Sequence, residues 1–582
     1  MPWDKILYLL FGFDIENTKI DKSRFKKINL NNKNKKMKFK NKRILNLTLL
    51  FLIVLAAFII RFYNIENAPS GIYPDEAVNG IDALRASSTG NYQWFYPDNN
   101  GREGLFMNLI SFSFKIFGIT ALGLKFPSMI FGTLTVLGTY LLTKELFRSQ
   151  RAGLLAAFFV AFSFWAINFS RISFRANMLP TILSFSFYYL FCGIRYNKVI
   201  HSSKNKAKNF LKSSTFKSYF CFAMAGLIFG IGLHTYIAFR ITPAILGLSF
   251  LALWITKKHF WRDYWKHSLI FILLSLITMA PMFYTFYIHP EYLTSRSASI
   301  SVLAPEVNQG HPIKELSRSL FLSLVKYNFW GDQNWRHNYP PYPILNPILG
   351  FTFLGGLIYL IIKWFHLLIL RFKHKIRDRK FYVYTFILGW FFAMLAPEFM
   401  TAEGLPHALR SIGTIPVTFI IATIPFLWLI GKTKHYGHGF KIIIISFIFI
   451  SLPIIALSET IKYHYFWANN PKQAESFESS LVDASNYMKT IGQGTQIIVI
   501  AENMQRIPIK MFNYFNPDVT YKHQDELDGL LGSDEVKNNA VFILTGKQQW
   551  VADKIINAYP NLKLKNFRDN KNNSEDVWVV SE

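Results

Sequence analysis

Two adjacent carboxylates, Asp75 and Glu76, follow Tyr73 and Pro74 about a dozen residues beyond the first long apolar segment. An acidic pair beside such a segment indicates chemistry at a membrane surface, because ionised groups are costly inside a bilayer. A carboxylate there can deprotonate a hydroxyl, or help to hold Mg²⁺ or Mn²⁺. An aspartate before a helix is also a common N-cap, so the surroundings of the pair must decide between these roles.

The residues after the acidic pair have the pattern of a surface helix. Ala77, Ile81 and Leu84 recur at helical spacing, which predicts an amphipathic helix over residues 75–88 lying along the membrane surface. The acidic pair would occupy its first turn, where the helix dipole stabilises negative charge. We therefore expect both carboxylates to be ionised.

Basic and imidazole side chains recur near the ends of several apolar segments. They are Arg171, Arg175, His234, Arg240, His407 and Arg410. Because ionisable groups are costly beside a membrane, their recurrence on one side predicts a shared anionic ligand, and we expect it to be the phosphate of a lipid donor. For any one of them the alternative is that the side chain reaches to lipid headgroups.

Carboxylates and cations around one site suit the transfer of a group from a lipid phosphate. The carboxylate would deprotonate the acceptor hydroxyl, and an arginine or a metal ion would stabilise the departing phosphate. This combination predicts a glycosyl transfer.

The composition predicts the scaffold that must position these groups. The 582 residues are 51% hydrophobic and only 17% charged, with a mean hydropathy of +0.20, which indicates a polytopic α-helical membrane protein. Long apolar runs predict about eleven transmembrane helices. They cover residues 44–62, 122–147, 152–170, 178–195, 218–234, 236–256, 267–288, 346–369, 381–397, 408–431 and 440–458.

The formal charge of +29 follows the predicted topology. Residues 19–43 hold twelve Lys and Arg against one acid, and residues 195–217 hold seven basic residues and no acid. Such loops are typical of the cytoplasmic side. We therefore predict a basic cytoplasmic leader over residues 1–43 and a multi-pass protein of the cell membrane, and we exclude nucleic acid as a partner.

An odd number of spans places the acidic pair and the C-terminus outside the cell. We predict a transmembrane domain over residues 44–458, with exterior loops at 63–104 and 289–345, and a small exterior α/β domain over 459–582. In that domain, residues 496–501, 540–545 and 576–580 have the pattern of strands, and 547–558 that of a helix. Because it has no phosphate-binding glycine pattern, we expect a binding or structural role for it.

Four short motifs resemble the GT-C superfamily of membrane glycosyltransferases. They are Tyr73–Glu76, Gly101–Phe106, Leu124–Ser128 and Leu405–Arg410. The resemblance covers roughly residues 40–430, and the branch it favours is that of the protein O-mannosyltransferases and lipid A aminoarabinose transferases. It implies a multispanning fold, a catalytic acid in the first exterior loop and a polyprenyl-phosphate-linked sugar as donor.

The resemblance also implies roles for single residues. Asp75 matches the family's catalytic aspartate and Glu76 its acidic neighbour, while Arg410 by position would meet the donor phosphate. We assign Arg102 and Glu103 of the second motif to the acceptor. The chain departs from the mannosyltransferases after the acidic pair, where Ala77-Val78 stand in place of a nearby histidine. Its exterior tail also differs from the module that those enzymes carry.

From these patterns we predict an integral membrane glycosyltransferase that works on the exterior face with inversion of configuration. Its partners would be the polyprenyl-phosphate sugar, membrane lipids, and an acceptor that is a protein, a lipid or a glycan. Two alternatives stay open at this point: a transporter or flippase for lipid-linked glycans, and a polymerase or ligase. The sequence leaves the sugar and the metal dependence open, with Asp75 and Glu76 as the candidate ligands of Mg²⁺ or Mn²⁺.

Overall fold

The computed structural model describes residues 27–202, 208–294, 301–401, 403–432, 437–531, 533–537, 539–546, 549–567 and 577–581. Most of the predicted basic leader, up to residue 26, lies outside these ranges. Its remaining residues form the first part of a helix, Lys27–Phe62, that continues into the first apolar segment.

Within the described ranges, ten helices are long and apolar enough to span a membrane, and a bent pair would make eleven. The prediction of a polytopic α-helical membrane protein is thus confirmed. The helices that carry the ten spans are Lys27–Phe62, Ala121–Phe147, Met178–Ser202, Lys208–Ile231, Thr242–Thr256, Phe260–Ile288, Pro347–Lys373, Arg379–Phe399, Ile415–Lys432 and His438–Ile461. The last of these leads into a π-helical turn, Lys462–Trp467.

The bent pair falls where one span was predicted over residues 152–170. Helices Gln150–Phe162 and Phe164–Ser170 meet at an angle of 61°. Ser163 between them has an extended backbone, and the amide of Phe164 donates to Oε2 of Glu459 at 2.8 Å. A distant carboxylate therefore caps the second helix and stabilises the bend.

The helices in the middle of the bundle are largely buried, and those at its periphery are not. In apolar 18-residue stretches of the spans Ala121–Phe147 and Arg175–Asn197, 67% and 83% of the residues are buried, against 6% in Asn41–Phe62. Exposed apolar side chains such as Phe351 line the outer helices. This surface suits contact with lipid, because a membrane solvates apolar side chains.

One end of the bundle, here called the polar end, carries short elements between the spans. They are helices Pro74–Thr89, Leu105–Phe117, Glu291–Thr294, Pro305–Asn308 and Pro312–Val325, the short 3₁₀ turns Arg175–Asn177, Gly232–His234, Ile237–Ile241 and Ile412–Thr414, and the antiparallel strands Phe95–Tyr96 and Arg102–Glu103. Pro74–Thr89 contains the predicted surface helix and is called the site helix below.

The C-terminal region is a small α/β domain, as predicted. Its five-stranded sheet has the order Val519–Lys522, Ile497–Ile500, Val541–Thr545, Val577–Ser581 and Lys563–Phe567. The first three strands are parallel, and Val577–Ser581 is antiparallel to both of its neighbours. The helices of the domain are Pro471–Ser476, Ser479–Met488, Asn503–Phe512, Leu527–Leu531 and Gln549–Ala558, with a short turn at Gln524–Glu526. Apolar cores form on both faces of the sheet.

The C-terminal domain packs directly on the site helix and on the segment before it. Met511 fills the space above Gly80, where a Cβ atom would approach its sulfur to 2.3 Å. A Cβ atom at Gly71 would approach the carbonyl oxygen of Phe477 to 2.1 Å. A side chain at Gly71 would collide with backbone atoms of the C-terminal domain, so the domain and the segment before the site helix are in close contact.

Candidate active site

The site helix begins where its sequence provides several start signals. Tyr73 is extended, Pro74 occupies the first turn, and the helix ends at Gly90 with a φ of 72°. Oε1 of Glu76 accepts the amide of Tyr73 at 3.3 Å, as the glutamate of a capping box does.

Glu76 also ties the site helix to the neighbouring segment 171–177. It is fully buried, and its Oε2 accepts the amide of Ser173 at 2.6 Å. Burial raises the pKa of the Glu76 carboxyl, and the ammonium of Lys125 partly opposes this shift. Both oxygens of Glu76 are directed at backbone amides. Two cavities lie beside Asp75, and Glu76 lines neither of them.

Asp75 occupies a different position from its neighbour. It is half-buried, and its Oδ1 accepts a hydrogen bond from Nδ2 of Asn99 at 2.7 Å. Asp75, Phe174 and Leu409 line both of the cavities at the polar end. Asp75 therefore lies at the boundary between two spaces, and its neighbour Glu76 lines neither of them.

The larger cavity has a volume of about 460 Å³ and lies between the site helix and two loops. It is lined by Tyr73, Asp75, Phe174, Asp332, Gln333, Asn334, Arg336, His337, Glu403, Gly404, Leu405, Pro406, His407, Leu409 and Arg410. His407 and Arg410 of the predicted donor set line it together with Asp75. It is large enough for a phosphate and part of a sugar.

Arg410 is held in the larger cavity by Glu403. Its Nη2 donates to Oε2 of Glu403 at 3.1 Å, and Nη1 donates to the carbonyl of the same residue. The Glu403 side chain is 68% exposed. A pair with so exposed a partner is weak, so an anion entering the cavity can compete for the guanidinium.

His407 is neutral in this environment. Burial lowers its pKa well below the usual value, and the neighbouring His337 and the cations Arg410, Lys326 and Arg336 lower it further. Its amide donates to Oε1 of Glu398 at 2.9 Å, and Glu398 forms a fully buried ion pair with Lys326. Its Nδ1 is buried and has no hydrogen-bond partner among the described residues.

The loop 331–338 supplies groups for which no role was predicted. Oδ2 of Asp332 lies 3.0 Å from Nδ1 of His337 and accepts the amide of Ala408 at 2.7 Å. The rings of His337 and His407 are 4.7 Å apart. Three side chains offer one ligand atom each within 4.8 Å of one another: Asp332, His337 and His407. Such a group could hold a metal ion. The signal in the sequence was an Asp and a His five residues apart.

Arg336 of the same loop stacks on the aromatic ring next to the site helix. Its guanidinium carbon lies 3.8 Å from the centre of the Tyr73 ring, and its Nε donates to Oδ1 of Asn334 at 3.0 Å. Both Tyr73 and Arg336 line the larger cavity. Arg336 is thus a cation of this site that sequence patterns did not reveal.

The smaller cavity, about 50 Å³, lies on the other side of Asp75. It is lined by Asp75, Asn79, Asn99, Arg102, Phe174, Arg175, Ala176, Tyr236 and Leu409. Arg102 donates to Oδ1 of Asn79 and forms an ion pair with Asp82.

The smaller cavity brings together residues that were assigned to different ligands. Nε of Arg175 donates to Oε2 of Glu103 at 2.7 Å, and Arg102 lines the same space. Arg102 and Glu103 were predicted to bind the acceptor, and Arg175 was predicted to bind the donor. Because both arginines are paired with carboxylates, this cavity carries less free positive charge than a phosphate site needs.

Three residues of the predicted donor set line neither cavity: Arg171, His234 and Arg240. The fully buried Arg171 directs all three of its side-chain nitrogens to backbone carbonyls, among them those of Ile60, Arg61, Asn64 and Ala68. It therefore satisfies the carbonyls at the end of the first membrane helix.

His234 and Arg240 also have local partners. Nε2 of His234 lies 2.8 Å from the carbonyl of Thr278, and Nη1 of Arg240 donates to the carbonyl of Leu293 at 2.7 Å. The structure therefore separates these two residues, together with Arg171, from His407 and Arg410.

The fold is similar to that of the solved structures of ArnT and AglB, as the resemblance to the GT-C superfamily implied. ArnT from Cupriavidus metallidurans in the apo state matches with a TM-score of 0.53 and 12% identity, over 91% of this chain and 97% of that one. The same enzyme bound to undecaprenyl phosphate matches with a TM-score of 0.51 and 11% identity over the same shares.

An oligosaccharyltransferase has the same architecture. AglB from Archaeoglobus fulgidus, in complex with an inhibitory peptide and a dolichol-phosphate, matches with a TM-score of 0.51 and 14% identity, over 87% of this chain and 70% of that one. No family of known sequences and no curated protein matches the chain. The similarity is therefore one of fold.

Proposed function

We propose that this protein is an integral membrane glycosyltransferase that takes a sugar from a polyprenyl-phosphate donor and transfers it, with inversion, to a hydroxyl acceptor. The observation that carries the proposal is the position of Asp75 between a cavity with available cations and a second cavity. Two substrates can approach one carboxylate from opposite sides there. The matching solved structures support the choice of donor, because two of them hold polyprenyl phosphates.

In this proposal the larger cavity receives the donor phosphate. Arg410 and Arg336 both line it, and Arg410 exchanges its exposed partner Glu403 for a phosphate oxygen. A charge-assisted, forked contact of this kind is stronger than a surface ion pair. The polyprenyl chain would extend from the cavity towards the membrane.

The acceptor hydroxyl approaches Asp75 from the side of the smaller cavity. Asp75 takes the hydroxyl proton while the acceptor oxygen forms a bond to the anomeric carbon of the sugar. The bond from that carbon to the phosphate oxygen breaks, and its electron pair leaves with the polyprenyl phosphate. The added negative charge is stabilised by Arg410 and Arg336. A single displacement inverts the anomeric carbon.

The proposal places this chemistry on the exterior face of the cell membrane. Its support is the distribution of charge: the loops at the opposite end of the bundle are rich in Lys and Arg, which is typical of the cytoplasmic side. The polar end carries the acidic pair and the C-terminal domain. Membrane lipids and the acceptor would then meet at the same surface.

A second candidate is a ligase that transfers a preassembled glycan from a lipid diphosphate. It is favoured by one observation, namely that the oligosaccharyltransferase AglB matches with the same TM-score as undecaprenyl-phosphate-bound ArnT. A flippase would use the same cavity and break no bond.

One assay separates the three functions. Purified protein is incubated with a radiolabelled polyprenyl-phosphate sugar, with the envelope fraction of its own host cells as acceptor. The proposal predicts that free polyprenyl phosphate appears only when the acceptor is present. Turnover with a lipid-diphosphate glycan alone would establish the ligase. Movement of intact donor across vesicles without cleavage of either lipid would establish the flippase.

A further inference from the structure

The larger cavity offers two guanidiniums to the proposed donor phosphate, but carboxylates outnumber them in its lining. Its lining contains three carboxylates, Asp75, Asp332 and Glu403, against two guanidiniums, Arg336 and Arg410. A polyprenyl-phosphate sugar brings one negative charge, and the leaving phosphate acquires a second. Anions in a partly enclosed site need neutralising charge nearby, because interactions are poorly screened there.

We propose that Asp332, His337 and His407 bind a divalent metal ion of the zinc class in the wall of the larger cavity. Two imidazole nitrogens and one carboxylate oxygen form a ligand set that suits zinc. Their ligand atoms lie within 4.8 Å of one another. Tetrahedral ligands about 2.1 Å from a zinc ion lie about 3.4 Å apart, so small side-chain rotations complete the site.

The second observation is the unsatisfied nitrogen of His407. Nδ1 of this imidazole is buried and has no hydrogen-bond partner in the described part of the chain. Leaving a buried polar atom without a partner is unfavourable, and native structures rarely do so. Coordination of a metal ion through Nδ1 of His407 would satisfy this atom.

The residues around the cluster hold its ligands in place. Oδ1 of Asp332 accepts the amide of Asn334 at 2.8 Å, and Oδ2 accepts that of Ala408 at 2.7 Å. The amide of His407 is fixed by Glu398. Outer contacts of this kind orient metal ligands and raise the affinity of a site.

Three protein ligands leave one position of a tetrahedral ion open towards the cavity. An oxygen of the donor phosphate would occupy that position, and this last step rests on the proposed function. Binding of the metal itself does not rest on it. The two parts can therefore be tested separately.

Metal binding is measured on the purified full-length protein in detergent. The protein is stripped with a chelator, loaded with Zn²⁺, desalted and analysed for metal content, and a parallel sample is titrated with Co²⁺ as a visible-absorption probe. We expect one tightly held zinc ion per chain in the wild type. His337→Gln and His407→Gln should each lose it, with at least about a tenfold loss of affinity.

The matched control is His464→Gln, because His464 is a partly buried imidazole beside Tyr63 and outside the cluster. This variant should retain the ion. Wild-type protein that holds no zinc after loading, or cluster variants that bind it as the wild type does, would overturn the proposal.

A second measurement covers the case in which the cluster variants do not fold. X-ray absorption of zinc-loaded wild type should show two imidazole ligands in the metal shell, whereas a shell of oxygens alone would contradict the site. Zinc bound by a protein that transfers no sugar would refute the proposed function and leave the site standing. Full transfer by zinc-free protein would contradict the proposed contact between the metal ion and the donor phosphate.

Discussion

The guanidinium of Arg336 stacks on the ring of Tyr73, with its central carbon 3.8 Å from the ring centre. Tyr73 stands two residues before Asp75, so this contact fixes the loop that carries a cation against the helix that carries the proposed base. Stacking on an aromatic face also leaves the edge of a guanidinium free to meet an anion. The contact joins the two halves of the proposed active site.

Arg336→Ala should therefore impair donor binding. We expect the donor KM to rise about 10- to 100-fold, which corresponds to the loss of a hydrogen bond to a charged group. Arg336→Lys should restore only part of the affinity, since a point charge replaces a planar fork. The matched control is Arg318→Ala, whose side chain is 68% exposed and paired with Glu315 at the polar end. Equal KM values in all variants would exclude Arg336 from the donor site.

Arg410 and Glu403 should have opposite effects on the donor. Arg410→Ala removes a phosphate ligand and should raise the donor KM at least about tenfold. Glu403→Gln removes the competing carboxylate from Arg410, and it should lower the donor KM by about two- to fivefold, as expected for a weak ion pair. Both are measured by initial rates at varied donor concentration. A higher KM in Glu403→Gln would show that the pair positions Arg410 instead of competing for it.

Glu478 of the C-terminal domain should make donor binding depend on pH. Burial raises the pKa of its carboxyl to about 7, although Arg336 nearby opposes this shift. Above that pH the ionised carboxylate faces Arg336 and competes with the donor phosphate. The donor KM should therefore increase about two- to fivefold between pH 6 and pH 8 in the wild type, and much less in Glu478→Gln.

The same carboxyl has a predicted effect on stability. Because its folded pKa lies above the ordinary value of 4.5, the folded state binds the proton more tightly than the unfolded state. Its contribution to the free energy of unfolding is thus most favourable below about pH 4.5 and is lost as the pH rises through about 7. Glu478→Gln should raise the Tm at pH 8 relative to the wild type. An unchanged pH profile in this variant would contradict both effects.

Several features of the fold followed from local patterns in the sequence. Long apolar runs predicted the membrane helices, and short apolar runs predicted the strands around Ile497, Val541 and Val577. The edge strands Val519–Lys522 and Lys563–Phe567 were missed because they are short and rich in polar residues. The bend at Ser163 depends on the carboxylate of Glu459, 295 residues beyond Phe164, which no local pattern contains.

The candidate site shows the same division between local and distant information. Asp75 stood out because an acidic pair beside an apolar segment is unusual. Arg171 and Arg410 both lie at the end of a predicted membrane helix, and only packing shows that Arg171 is used by the carbonyls of a helix end. Asp332, Arg336 and His337 belong to a loop whose approach to His407 depends on the arrangement of the whole bundle.

Glu76 and Asp75 should differ sharply in what they affect. Glu76→Ala leaves the amides of Ser173 and Tyr73 unsatisfied and should lower the free energy of unfolding by about 2–3 kcal/mol. Asp75→Asn leaves the helix start intact and should hardly change the Tm. Thermal unfolding of both variants in one detergent provides the comparison. A larger Tm loss in Asp75→Asn than in Glu76→Ala would reverse these assignments.

The central claim is that Asp75 is the base of a glycosyl transfer, and Asp75→Asn tests it most directly. The amide keeps the shape of the side chain and can still contact Asn99, but it cannot accept the hydroxyl proton. In single-turnover assays with a saturating polyprenyl-phosphate sugar, we predict a rate at least about a hundredfold below that of the wild type, with donor binding retained. A variant that transfers the sugar at nearly the wild-type rate would show that Asp75 is not the base.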